Sequence, residues 1–217
     1  MNKKFCSKLA EKVNGFYFAS EFKLARILVL RDSQEDILKG FCIKNTRTGV
    51  SVRTWFCPVA HFSFPNDSLM FMAFEGWDFG GQESGLISNK VNGEFLSPKK
   101  DDDVMINDVA DYIAHRIHML EGVKTLKDFI KLSRSFPPSF LSDPIKLQLG
   151  LLYYNSGERA LGENMIRESA MAAGTLRYKD VEDFLLQLDK GIDFADTYIV
   201  KIMERNRKYL EDNGFYK

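Results

Sequence analysis

At 217 residues, 45% hydrophobic and 28% charged, the chain has the composition of a globular protein with a sizeable core, not of a disordered or fibrous one. Thirty Lys/Arg balance thirty Asp/Glu; residues 1–97 carry twelve and ten, and residues 98–217 carry eighteen and twenty. Neither half is the cationic body that holds nucleic acid, and the longest apolar runs, near 25–30 and 69–74, are too short to cross a bilayer.

The first fifteen residues, MNKKFCSKLAEKVNG, lack an apolar stretch of signal-peptide length, so a cytoplasmic protein is expected. Cys6, Cys42 and Cys57 are odd in number and show no CxxC spacing, which reads as free, buried thiols. Twelve of the eighteen Phe and both Trp precede residue 98. This shift, with the charged stretch LSPKKDDD at 96–103, divides the chain into a 1–97 region and a 104–217 region that pack as one body.

Residues 3–13 predict a helix, with Phe5, Leu9 and Val13 on one face and Asn14-Gly15 as its stop. Strands follow. FKLARILVL at 22–30 is rich in branched apolar residues, GFCIKNT at 40–46 alternates, and VSVRTWF at 50–56 alternates again across a turn at 46–49. The last two form an expected hairpin. LMFMAF at 69–74 is a further strand, and 84–88 and 93–96 are short closing strands. Residues 104–121 return to the helical period through Ile106, Val109, Ile113, Ile117 and Leu120. Thr125 and Asp128 form a capping box for a short helix that Phe136-Pro137-Pro138 ends. Asp143 is the expected N-cap of the next helix, with Pro144 at its first position. Helices over 158–173, around 181–188 and over 192–213 complete the chain. The fold class is α+β: an N-terminal helix and antiparallel sheet, then a helical part of five or six helices.

Residues 145–174, IKLQLGLLYYNSGERALGENMIRESAMAAG, are two helices joined at 155–158. Leu149, Gly150 and Tyr153 are expected to face Gly162, Ile166 and Ser169, the small residues letting the axes approach. The Leu-Gly-x-x-Tyr pattern, the turn glycine and the small second-helix residues resemble a tetratricopeptide-repeat unit. The chain departs from that pattern at Lys146, where the family has an early tryptophan, at Gly162 for its alanine and at Gly174 for its proline. No second copy follows at the thirty-four-residue period. The resemblance implies a peptide-binding helical surface, with Tyr153 and Tyr154 as contact residues; the plainer reading is a helix pair serving as core. On the last helix Ile192, Ala195, Ile199, Ile202, Asn206 and Tyr209 form a seam. It docks within the chain or, alternatively, makes a homodimer.

EGWDFGGQESG at 75–85 lacks the Lys-Ser/Thr of a phosphate loop and the GxGxxG of a dinucleotide loop, and its three acids would repel phosphate. It reads as a glycine-rich sheet connection, with Trp77 and Phe79 as edge plugs or exposed binding anchors. A paired-carboxylate site there would use Glu75 with Asp78 or Glu83; the plainer reading is solvated acids in a turn. Asp111, His115 and His118 fall within about 60° of one helix face and could ligate zinc or iron with a fourth group such as His61. The plainer reading is a solvated face. With no GxSxG, kinase, Rossmann or zinc-cluster motif, no cofactor is expected. The expected function is non-catalytic recognition of another protein or peptide, with no nucleic-acid or membrane partner, as an adaptor, an effector chaperone or an immunity-like protein. The alternative is a metal-assisted hydrolase built on Asp111, His115 and His118.

Overall fold

Alternating apolar residues in the first part build a sheet, and helical stripes in the second part cover it. The structure, a computed structural model, describes residues 3–19, 25–33, 36–45, 49–62, 74–75, 86–88, 90–91, 94–95, 103–136, 138, 141–172 and 178–216. Helix α1 (Lys3–Lys12) leads into β1 (Phe16–Phe18), β2 (Ala25–Leu30), β3 (Ile37–Asn45) and β4 (Gly49–Pro58). Short strands β5 (Phe74–Glu75) and β6 (Leu86–Ser88) pair with opposite ends of β4, and β7 (Lys90–Val91) pairs with β8 (Glu94–Phe95). All these pairings are antiparallel, and β3 meets β4 in the expected hairpin, from Ile37 opposite Pro58 to Asn45 opposite Val50. The N-terminal helix, antiparallel sheet and helical C-terminal part are the α+β architecture read from the sequence.

Among the described residues six helices follow: α2 (Asp103–Glu121), α3 (Leu126–Ser133), α4 (Asp143–Asn155), α5 (Arg159–Ala172), α6 (Lys179–Lys190) and α7 (Ile192–Asp212). The capping box at α3 is formed: Thr125 Oγ1 accepts from the Asp128 N–H at 3.2 Å, and Asp128 Oδ2 accepts from the Thr125 N–H at 2.8 Å. The Thr125 hydroxyl also donates to Asp128 Oδ2 at 2.9 Å, and that bond, with the one from the Thr125 N–H, holds the Asp128 carboxyl below its ordinary pKa. At α4 the boundary lies one residue earlier than expected. Ser142 is the N-cap and Asp143 lies inside the first turn, where its charge suits the helix dipole.

One face of the sheet (Phe16, Leu28, Ile37, Phe41, Ile43, Val50, Val52, Phe56) packs on Phe5 and Leu9 of α1, Ile106, Val109 and Ile113 of α2, Phe129 of α3, and Leu149 and Leu152 of α4. The opposite face, centred on Trp55, receives Leu210 and Phe215 from the end of α7 and the residues after it. Tyr17 on β1 donates its hydroxyl to the Phe215 carbonyl at 2.5 Å. A third cluster fills the space among α4, α5, α6 and α7 with Leu147, Leu151, Tyr154, Ile166, Phe184 and Ile199. Both sides of α4 are therefore covered, and its eight consecutive residues 147–154 are all buried. The two regions of the sequence share the first cluster, so the sheet and the helices are built on one core.

Helices α4 and α5 approach closely because Gly150 and Gly162 face each other. A Cβ on Gly162 would lie 2.5 Å from the Gly150 carbonyl oxygen. The tyrosine at this contact is Tyr154, not Tyr153: the Tyr154 backbone N would be 2.4 Å from that Cβ. Tyr153 turns the other way, its hydroxyl 3.0 Å from Ser133 Oγ on α3.

Candidate functional site

The residues singled out by sequence fall in different places. Tyr153 and Tyr154 are in the core, which corrects their expected place as contact residues; the reason is that α4 is wrapped on every side. Tyr154 meets Phe184 edge-on, with ring centroids 5.3 Å apart. Trp77 and Phe79 lie outside the described residues, as do Asp78, Glu83 and the side chain of Glu75. Asp111, His115 and His118 are exposed on α2, opposite buried Val109 and Ile113. His115 donates Nδ1–H to the Asp111 carbonyl of its own helix at 2.7 Å. No group of three His, Cys, Asp or Glu among the described residues is placed to hold a metal ion. His61, the expected fourth ligand, is buried at the joint between sheet and helices described next. The geometry does not bring this set together.

The chain leaving β4 at 59–62 runs through the interior, where unpaired backbone groups are costly. Two amide side chains satisfy it. Gln148 of α4 accepts from the Phe62 N–H and donates to the Phe62 carbonyl, both at 2.9 Å. Asn206 of α7 donates to the Val59 carbonyl at 2.8 Å and to the His61 carbonyl at 2.9 Å. Arg205 beside it makes two bonds to Asp180 of α6, at 2.9 and 2.7 Å, and reaches Asn206 Oδ1. The middle of the seam expected on α7 is thus spent inside the chain: Ala195, Ile199 and Ile202 are buried and Asn206 binds backbone, while Ile192 at its start is exposed. A homodimer through the last helix would need another face of it.

His61 is held in this joint by its Nδ1–H, donated to the Pro58 carbonyl at 2.6 Å, which leaves Nε2 buried and without a partner among the described residues. Burial lowers its pKa from the ordinary value to about 4, with the Arg205 charge adding to the drop and the Pro58 bond and Asp180 opposing it. The folded state therefore binds fewer protons than the unfolded one between about pH 6.5 and 4, so His61 subtracts stability as pH falls through that window. The expected loss at pH 5 relative to pH 7.5 is about 2 kcal/mol in urea unfolding. His61→Asn, which keeps a donor for Pro58 but does not titrate, should remove that part of the pH dependence; an unchanged profile would assign it to other groups.

A cleft of about 450 Å³ opens between the sheet and the end of α2, lined by Leu30, Asp32, Lys39, Glu121 and Lys124. Lys39 shares a strand face with Ile37 and Phe41 and is 4% exposed. Its Nζ donates to the carbonyls of Leu120 at 2.9 Å and Val123 at 2.6 Å, closing the C-terminus of α2. Burial lowers its pKa, and the charges of Asp32, Glu121 and Asp128 oppose the shift. Sequence reasoning passed over Lys39; the available signal was a lysine on an otherwise apolar strand face.

The outer surface carries its own pattern. Among the described residues seven large apolar side chains are exposed, and six of them (Leu161, Met171, Leu186, Ile192, Phe194, Val200) are on α5, α6 and α7. Ion pairs Arg159–Asp196 and Arg167–Asp189, both 2.6 Å, tie α5 to the start of α7 and the end of α6. The three cysteines are buried and form no disulfide, and burial pushes the Cys57 thiol up to about 12, so it is no nucleophile at neutral pH. Among the described residues no helix is long and apolar enough to cross a membrane. No protein-family model, no curated protein and no solved structure matches this chain.

Proposed function

We propose that this protein is a non-catalytic recognition module that binds another protein in the cytoplasm. The observation that carries the reading is the concentration of exposed apolar side chains on α5, α6 and α7, with Met171 at 82% and Phe194 at 55% exposure. Single exposed apolar residues are ordinary, but six of the seven among the described residues falling on three neighbouring helices supports a contact surface there. The close α4–α5 pair, which resembles a tetratricopeptide-repeat unit, supplies a stiff base, and the ion pairs fix the α6–α7 corner against it. Buried cysteines with no disulfide among them suit a reducing compartment. Adaptor, effector chaperone and immunity roles all use such a surface.

The test is co-purification from source cells of the tagged protein and of a Leu186→Ser/Phe194→Ser double variant. Both sites are exposed, so the variant should unfold within about 0.5 kcal/mol of the parent. A stoichiometric partner held by the parent and lost by the variant is expected. A partner retained by the variant would remove this surface from the reading, and the absence of any stoichiometric partner would remove the function.

A further inference from the structure

The cleft at Lys39 gathers four charged side chains of both signs, and their charged ends are not paired with one another. Among the described residues, Asp32, Glu121 and the Lys124 ammonium make no hydrogen bond or ion pair, although all three line the same cleft as Lys39. An ammonium has three N–H donors, and Lys39 uses two, on the carbonyls of Leu120 and Val123. The third meets no acceptor among the described residues. An anion alone would meet the carboxylates of Asp32 and Glu121, and a cation alone would meet two lysines. A molecule carrying both charges satisfies the set.

We infer that this cleft binds a small zwitterion, an α-amino acid or a short peptide with free ends, its carboxylate on Lys39 and Lys124 and its ammonium on Asp32 and Glu121. The volume of about 450 Å³ lies in the range of small-molecule sites and accommodates a ligand of that size. The anchor at the floor is Lys39, whose ammonium is fixed by two backbone carbonyls and so loses little freedom on binding. Asp32, Glu121 and Lys124 are exposed at the rim, where solvent screens each charge, and they orient the ligand more than they hold it. Leu30 supplies the apolar wall. The cleft is made by β2, β3 and the end of α2, so it is separate from the surface of α5, α6 and α7 and does not depend on the reading of that surface.

The experiment is an amide NMR titration of the full ¹⁵N-labelled chain with alanine and with glycylglycine, and with acetate and methylammonium as the separate halves. Saturable shifts at Leu30, Lys39 and Lys124 are expected with one of the zwitterions, and weaker binding with each half. Glu121→Gln and Lys124→Ala should each weaken binding about two- to fivefold, as expected for exposed charges. Lys39→Met should abolish binding, but it also uncaps α2, so the rim variants carry the test. No saturable shift with either zwitterion would overturn the inference. So would acetate binding as tightly as the zwitterions, or rim variants that bind like the parent.

Discussion

Replacing Asn206 with leucine is expected to destabilise the protein by about 3–5 kcal/mol. Leucine keeps the branched shape of asparagine, although its two methyls are bulkier than an oxygen and an NH2, so some overpacking adds to the loss. What is lost is the pairing of two buried carbonyls, those of Val59 and His61, which accept from the Asn206 amide at 2.8 and 2.9 Å. Each orphaned buried carbonyl costs about 1–3 kcal/mol, and no described donor stands ready to replace the amide. Arg205 loses one acceptor but keeps its two bonds to Asp180, so the effect reads the backbone joint and not the ion pair. Urea unfolding gives the magnitude. Hydrogen exchange gives the place: amides of 59–62 and of the second half of α7 should lose protection first. A loss under about 1 kcal/mol would mean that water enters and satisfies the carbonyls.

That joint also shows how far the sequence could be read. Residues with a dominant period declared themselves. Phe5, Leu9 and Val13 gave α1, the alternation of Val50, Val52 and Phe56 gave β4, and Thr125 with Asp128 gave the start of α3, because each signal is local. Asn206 was visible as a polar break in an apolar seam, but its partners lie about 145 residues away in sequence, so its role was not. The choice of Tyr153 over Tyr154 failed for a related reason. A helix buried on all sides has no polar face to mark direction, so the pattern of α4 could not say which tyrosine turns towards α5. Adjacent helical residues point about 100° apart, enough to move one tyrosine to α3 and the other to Phe184. The candidate sites were less legible still. Lys39 was an anomaly on an apolar strand face, and only the fold supplies the end of α2 and the rim charges that give it a setting. Asp111, His115 and His118 share a face, as their spacing required, but one face without convergent partners is only a surface.

The contact between α4 and α5 yields the other large expected effect, and it separates two glycines that look alike in sequence. Alanine is the better helix former by about 1 kcal/mol, so either substitution begins with a gain. At Gly162 the new Cβ would stand 2.4 Å from the Tyr154 nitrogen and 2.5 Å from the Gly150 carbonyl oxygen, both backbone atoms. Neither can move unless the helices separate, and separation loosens Ile166 and Tyr154 in the third cluster. Overpacking against rigid atoms costs about 4 kcal/mol, beyond the usual 1–3, which leaves a net loss of about 3 kcal/mol for Gly162→Ala. At Gly150 the nearest obstacle is the Ile166 Cγ1 at 2.7 Å, a side-chain atom that can shift, while the Gly162 carbonyl oxygen at 3.0 Å needs only a few tenths of an ångström. The expected net loss for Gly150→Ala is about 1 kcal/mol. Thermal and urea unfolding of the two variants should rank them in that order. Equal losses, or a greater loss at Gly150, would show that α5 can move away from α4 at little cost, and the hairpin would then no longer be the stiff base on which the proposed recognition surface stands.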